Sequence, residues 1–443
     1  MSQIEHEHLT KDALERLLSV DRLDEANRVL LHLLAICPEC AEAGGMVLAA
    51  YKAGAVGVQF SAVEVDLFVS RAKAPGLWRE LANLPSFEEA LRLLKTGKRF
   101  AHWGLAELLC AESWKAGAHD AARAVSLARL AVEVAKRVQE GEPCEREWLF
   151  ELRAYAWAHL ASAWRVSGDL HQAEEAQKSA DRWWQAGAAD MGDILGYEPV
   201  ILGLKASLRK DQRRFLEALA LLDEVIAAYL AGDPDTQDYH LAGRAMVTKA
   251  KVLEEMGELE EALRLLREAS PLVDPAREPR LFLCVEHNRL DFLAKLGRPV
   301  EARALLPKVK ALSEELGNDL DLLRLTWAEG HLHTAVGEIP EAIHLLTQVR
   351  ADFIARGIGF DAALVTLDLS MAYLKAGNTS AVAELAREML PLFEAQDVHR
   401  EALAALAVFQ QAALQQKATL ALTEKVAGYL MRARKNPGLQ FDE

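Results

Sequence analysis

The chain has 443 residues, 51% of them hydrophobic, and carries a net charge of −15. Its length is well beyond one ordinary domain, which leaves several domains or one elongated array. The acidity argues against a general binder of phosphate backbones, though not against a local basic face. No run approaches the roughly 20 apolar residues that cross a bilayer, so no membrane association is expected.

The first segment, MSQIEHEHLTKDALER, is charged and lacks an apolar stretch, so it does not read as a signal peptide. Five cysteines in a chain of this length do not make a disulfide framework. A reducing cytoplasm is the expected location. Thr10 and Asp21 suit the N-caps of two short helices. The stretch HLLAICPEC then places His32, Cys37 and Cys40 close together. Thiolates and an imidazole at such spacing suit tetrahedral zinc. In a helix a five-residue step turns side chains roughly 140° apart, so Cys37 joins His32 only if the helix ends first. Pro38 supplies that ending, because the residue before a proline is pushed out of the α region.

Residues 8–40 resemble the zinc-finger segment of bacterial anti-sigma factors, with one residue more between His32 and Cys37 than that family usually has. The resemblance implies His8, or His6, as the upstream ligand, with His32, Cys37 and Cys40 completing the set around one zinc ion. It also implies a sigma factor or a related transcription component as partner. A metal-free relic of the same fold stays open, and so do two plain core cysteines with His32 at a helix end. No strand precedes Cys37-Pro38-Glu39-Cys40, which disfavours a thioredoxin-like redox role. Cys110, Cys144 and Cys284 stand alone and read as core.

Residues 41–60 are rich in Gly and Ala and read as a connector. Residues 61–100 read as two or three helices interrupted by Pro75 and Pro85. Beyond them a skeleton of Gly-x4-Ala follows each apolar helix. Its glycines are Gly117, Gly168, Gly257, Gly297, Gly337 and Gly377, and Arg213 with Ala218 fills the gap. Seven residues before each lie Cys110, Ala161, Ala206, Ala250, Leu290, Gly330 and Ser370, all small except Leu290. Small residues at that register let two helix backbones approach, and Gly ends a helix in a left-handed turn. In ALRLLREA the apolar residues form one buried stripe at helical spacing.

The segment from Ala245 to Pro275 resembles a tetratricopeptide repeat. Its 40-residue period is longer than that family's usual one. The resemblance implies an all-α, right-handed superhelical solenoid of antiparallel helix pairs. The expected division is a helical module over residues 1–43, connector and helices over 44–100, about seven units over 101–415, and a capping helix with tail over 416–443.

In such arrays the first helices of successive units line a groove. Counting back from each turn places Tyr155, His159, Ser162 and Arg165 on that face, followed by Arg244, Lys251, His287, Asp291, Arg324, Trp327 and His331. Cations and aromatics there suit a protein partner or an acidic peptide. Trp148, Tyr155, Trp157, Trp164, Trp183 and Trp184 read rather as core. No phosphate loop, Gly-x-Ser-x-Gly elbow or His-Glu-x2-His pair occurs, so no enzyme activity is expected. The expected function is a protein-binding adaptor or regulator. Two alternatives are a cytoplasmic sensor of a small molecule or signal peptide, and a scaffold subunit of an enzyme complex. Direct contact with nucleic acid is not expected.

Overall fold

The structure is a computed structural model, and it describes residues 62–139, 146–187, 196–232, 237–316, 319–394, 400–433 and 441. Every regular element among them is helical. The chain divides into two compact units, Met1–Gln237 and Asp238–Glu443. The N-terminal ligand set His8, His32, Cys37 and Cys40 lies outside the described residues.

The first unit holds α1 (Ala62–Ala82), α2 (Phe87–Thr96), α3 (Trp103–Ala116), α4 (Ala121–Arg137), α5 (Arg146–Val166), α6 (Leu170–Gly187), α7 (Glu198–Asp211) and α8 (Phe215–Tyr229). The second holds α9 (Tyr239–Met256), α10 (Leu259–Ala269), α11 (Pro279–Lys295), α12 (Pro299–Leu316), α13 (Asp319–Val336), α14 (Ile339–Ala355), α15 (Gly359–Lys375), α16 (Thr379–Glu394), α17 (Arg400–Leu414) and α18 (Leu420–Ala433). Within each unit, from α3 onward, successive helices pack on one another.

Each pair forms for local reasons that α9 and α10 illustrate. Asp238 caps α9 by accepting a bond from the Leu241 amide at 2.9 Å. Gly257 ends α9 at φ +89, and the Glu258 amide reaches back to the Leu253 carbonyl at 2.9 Å. Glu260 and Glu261 face the positive end of α10, and Ala262, Leu263, Leu266 and Ala269 bury one stripe completely. Burying each leucine fully contributes about 1.5–3 kcal/mol.

The same left-handed turn recurs at Gly168, Gly297, Gly337 and Gly377, and at Arg213 with φ +61. At Gly330, seven residues before its turn, a Cβ would come within 2.7 Å of the Leu346 side chain. Leu290 occupies the equivalent place as a fully buried leucine, so the small-residue rule is a preference of the stack and not a condition.

Three details differ from the expectation. Gly117 stays in the helical region at φ −55, and the turn continues to Asp120, which caps α4. The longer turn moves the second helix on by two residues, so Ala124 is buried and Ala122 is exposed. Pro75 does not interrupt α1, which runs unbroken from Ala62 to Ala82. α1 lies so close to α3 that a Cβ on Gly104 would sit 2.5 Å from the Arg71 Cα. At the other end Phe441 folds back edge-on to Tyr429 of α18, with ring centroids 5.1 Å apart.

Arg213 adopts a conformation that costs a side-chain-bearing residue about 1 kcal/mol. Arg213→Gly is expected to raise stability by roughly 0.5–1 kcal/mol in urea melts, less the loss of its stacking on Phe215, whose ring centre is 5.0 Å away. A destabilised variant would remove the assignment of Arg213 as a glycine-equivalent turn.

Candidate partner-binding face

In the second unit the first helices are α9, α11, α13 and α15, and their turns set a common register. Six residues before the turn stand Lys251, Asp291 and His331. Ten before it stand His287 and Trp327, and thirteen before it Arg244, Cys284 and Arg324. Steps of three and four residues put these positions on one side of a helix. By this register the residues named lie on one side of each of α9, α11 and α13.

The strip is not a row of open cations. Lys295 Nζ lies 2.6 Å from Asp291 on its own helix and 3.1 Å from Glu254 on α9. Lys251 pairs with the same Glu254. Burial works against the Asp291 carboxylate, yet the Lys295 ammonium outweighs it and holds the group below the usual range. Burial likewise opposes charge on Lys295, and Asp291 with Glu254 raises its pKa in spite of that. These charges keep one another in place between two helices.

A second knot joins α13 to α15. Trp327 Nε1 donates to Asp368 Oδ2 at 2.7 Å, and His331 Nε2 lies 2.7 Å from the same oxygen. The Trp327 ring also meets the fully buried Phe353 edge-on at 5.7 Å. Trp327 is thus shared between the face and the core behind it. Burial disfavours the His331 cation, but Asp368 outweighs that and Asp291 adds to it, so the imidazole titrates above its ordinary value. Lys295 opposes the shift from α11. His287 goes the other way, because its burial lowers the pKa more than Asp291 and Asp321 raise it.

Toward the N-terminal ends the guanidinium groups are partly exposed. Arg324 is 41% exposed and lies 4.0 Å from Asp361, which is buried. Arg244 is 39% exposed beside Glu278 at 3.4 Å. Cys284, expected to be core, is exposed between them on α11. Its helix places it at the arginine register, on the outer side.

The first unit treats the equivalent positions differently. Arg165 ties α5 to α7 by a bond of 2.7 Å to Asp211, and both groups are mostly covered. His159 and Ser162 are buried inside the stack. Tyr155 stacks on Tyr197 with centroids 4.3 Å apart and meets the His159 ring at a tilt, with centroids 4.5 Å apart. Burial alone pushes the His159 imidazole down to about 4, and its Nε2 has no hydrogen-bond partner. Arg71 grips Glu107 through two bonds of 2.7 Å, Tyr197 donates to the same carboxylate, and Trp103 donates to the Tyr197 hydroxyl at 2.9 Å. Burial works against the Glu107 carboxylate, but Arg71 outweighs it and lowers the pKa. Trp148, Trp157, Trp164, Trp183 and Trp184 pack partly buried against this unit's core.

Glu254, Lys295, Asp368, Glu107 and Tyr197 belong to these networks and were not picked out from the sequence. Their acids stand three, nine or ten residues before a turn, registers at which Arg165, His159 and His287 were chosen on other helices, so register alone did not single them out. The one usable signal was a polar residue on the apolar side of a first helix.

No family model matches the sequence. No curated protein matches it either. Solved structures match in fold. One is the crystal structure of a Rap protein complexed with competence and sporulation factor, at 11% identity and a TM-score of 0.52, covering 74% of this chain and 87% of that one. Another is the apo form of RapI, at 13% identity and a TM-score of 0.51, covering 74% and 86%. A tetratricopeptide repeat protein from Parabacteroides merdae aligns at 14% identity and a TM-score of 0.41 over 63% and 99%. At such identities the shared property is the helical-repeat fold.

The His331–Asp368 contact gives a pH-dependent expectation. A raised pKa means that the stabilisation is full below the ordinary value of 6.5 and is lost as pH rises through the folded value. His331→Gln should therefore lower stability by about 1 kcal/mol near pH 6 and by clearly less near pH 9. Urea melts of both proteins at the two pH values measure this, and an equal loss at both would remove the charged contact.

Proposed function

We propose that the chain is a non-enzymatic binding protein, an adaptor or regulator that holds a protein or peptide segment along the first-helix face of its second unit. The observation that carries this reading is the fixed polar network over α9, α11, α13 and α15. Charged groups on the second helices are largely solvated: Arg264 and Glu261 are 56% and 49% exposed and pair within one helix. On the first helices the charges are tied across helices and mostly covered, with His331 and Asp368 at 26% and 12%. Side chains held in one geometry lose little freedom when a partner arrives. Partner-binding roles are proposed here for Arg244, Lys251, His287, Arg324, Trp327 and His331, with Arg165 acting within the first unit. The solved Rap neighbour carries competence and sporulation factor, which fits a fold suited to holding a second molecule.

Among the described residues no three His, Cys, Asp or Glu side chains are placed to hold a metal. No helix among them is long and apolar enough to cross a membrane. For residues 1–43, outside the described ones, the proposal remains a regulatory module acting on a sigma factor or related transcription component. His8, His32, Cys37 and Cys40 would hold its zinc. Chelator-free protein should then carry about one zinc per chain, lost on Cys37→Ser with Cys40→Ser. Metal analysis that finds none sinks the proposal.

A second reading, a sensor of a small molecule or signal peptide, draws on the first unit. There the Tyr155–Tyr197 stack and the unpartnered His159 Nε2 lie together. Alkylation of Cys284 separates the two. With the partner recovered from the native host in place, iodoacetamide should modify Cys284 at least tenfold more slowly than in the free protein. An unchanged rate would put the partner elsewhere, with the first unit next in line.

A further inference from the structure

The first-helix face of the second unit changes along its length. Ten residues before its turn α9 carries Val247, which is buried. Thirteen and ten before its turn α15 carries Leu364 and Leu367, buried as well. At the same two registers α11 carries Cys284 and His287, and α13 carries Arg324 and Trp327. The exposed Arg280 stands one turn before Cys284, so Arg280, Cys284 and His287 follow at steps of four and three along one side of α11. The two helices meet through these side chains. Arg280 Nη2 lies 2.9 Å from Asp321 in the first turn of α13. His287, whose pKa is lowered chiefly by burial, is lowered further by the Arg324 cation of α13.

Two groups in this place are short of partners. Asp361 lies 4.0 Å from Arg324 Nη2, beyond hydrogen-bond reach, and this guanidinium forms no hydrogen bond among the described residues. The His287 imidazole forms none among them either. A guanidinium carries five N–H donors in a planar fork, and a carboxylate takes two of them at once. Asp361 is buried, so it balances the charge of Arg324 from within the fold without occupying that fork. The contact of Arg280 with Asp321 likewise lacks hydrogen-bond alignment.

We propose that α11 and α13 form a carboxylate site, in which Arg324 takes an incoming carboxylate by a two-bond fork and His287 donates one further N–H to it. This deepens the reading of the first-helix face and rests on it. Arg280, at the outer end of the same stripe, adds to the attraction. One carboxylate suffices, so the site places no demand on the spacing or backbone conformation of whatever carries it. Asp321 and Asp361 stand close to the two arginines and repel a dianionic phosphoryl group more than a monoanion. The carboxylate belongs either to an acidic side chain of a protein partner or to a free small acid.

Cys284 stands one turn from both Arg280 and His287, and its exposure makes it a reporter of this site. Iodoacetate carries the proposed ligand group, and iodoacetamide is its uncharged counterpart. With either, the thiolate sulfur bonds to the methylene carbon, iodide leaves with the electron pair of the broken C–I bond, and the thiol proton passes to water. Rates at Cys284 in the full chain are read by peptide mass spectrometry at one mildly alkaline pH. The ratio of iodoacetate to iodoacetamide rates should be at least tenfold above that of N-acetylcysteine. Arg324→Gln should bring it to within twofold of the free thiol, with helicity unchanged by circular dichroism. Arg324→Lys, which keeps the charge and loses the fork, should retain only part of the excess, and Arg280→Gln should lower it less than Arg324→Gln does. Glutarate and the peptide acetyl-Ala-Glu-Ala-amide should both slow the iodoacetate reaction, and whichever acts at the lower concentration names the source, free acid or protein side chain. A ratio equal to that of N-acetylcysteine, a ratio unchanged in Arg324→Gln, or protection by neither carboxylate overturns the site. Iodoacetamide alone still reads cover of the face by the native partner, so the carboxylate site can fail while the binding face stands.

Discussion

A helix that must turn back on itself needs one residue in the left-handed region, and the stack depends on how that residue is supplied. Glycine provides it after α5, α9, α11, α13 and α15, and Arg213 provides it after α7. The turn aims the second helix back along the first, and the buried residues seven positions earlier set how closely the two can approach. Where this device changes, the packing changes with it. The longer turn at Gly117 ends on Asp120 and carries the buried position from Ala122 to Ala124.

Given that reversal, first helices of successive units share one face, and the side chains there meet residues about forty positions away. His331 and Trp327 meet Asp368, Lys295 meets Glu254, and Arg324 approaches Asp361. Each pair is mostly covered, so its charges are attracted more strongly than in water and less screened by salt. Removing one member would leave its partner short of a bond in a poorly solvated place. This makes the face a structural seam.

The two units use equivalent positions for different purposes. In the first, the register that carries Arg244 and Arg324 elsewhere carries Tyr155, and the space above it is filled by Tyr197 and Glu107. That polar cluster draws on α1, α3 and α7, and through Arg71 it ties α1 to the first helix pair. In the second unit the same side stays open at the helix N-termini. Charge there is layered, with arginine outside and carboxylate beneath.

Periodicity alone determined the helical class, the positions of most turns and the side of each first helix that faces a common strip. Those features follow from local rules, because a left-handed turn needs glycine and a buried stripe needs spacing near 3.6 residues. Tertiary structure alone decided what the strip residues do. Arg165, chosen for the face, is tied to Asp211, and Trp327, chosen likewise, also packs on Phe353. Cys284 looked like core and lies outside. Arg280, Asp361 and Asp368 went unnoticed, since nothing in their own neighbourhood marks them. A charge acquires its role from the group it faces, and here that group comes from another helix pair, beyond the reach of any local pattern.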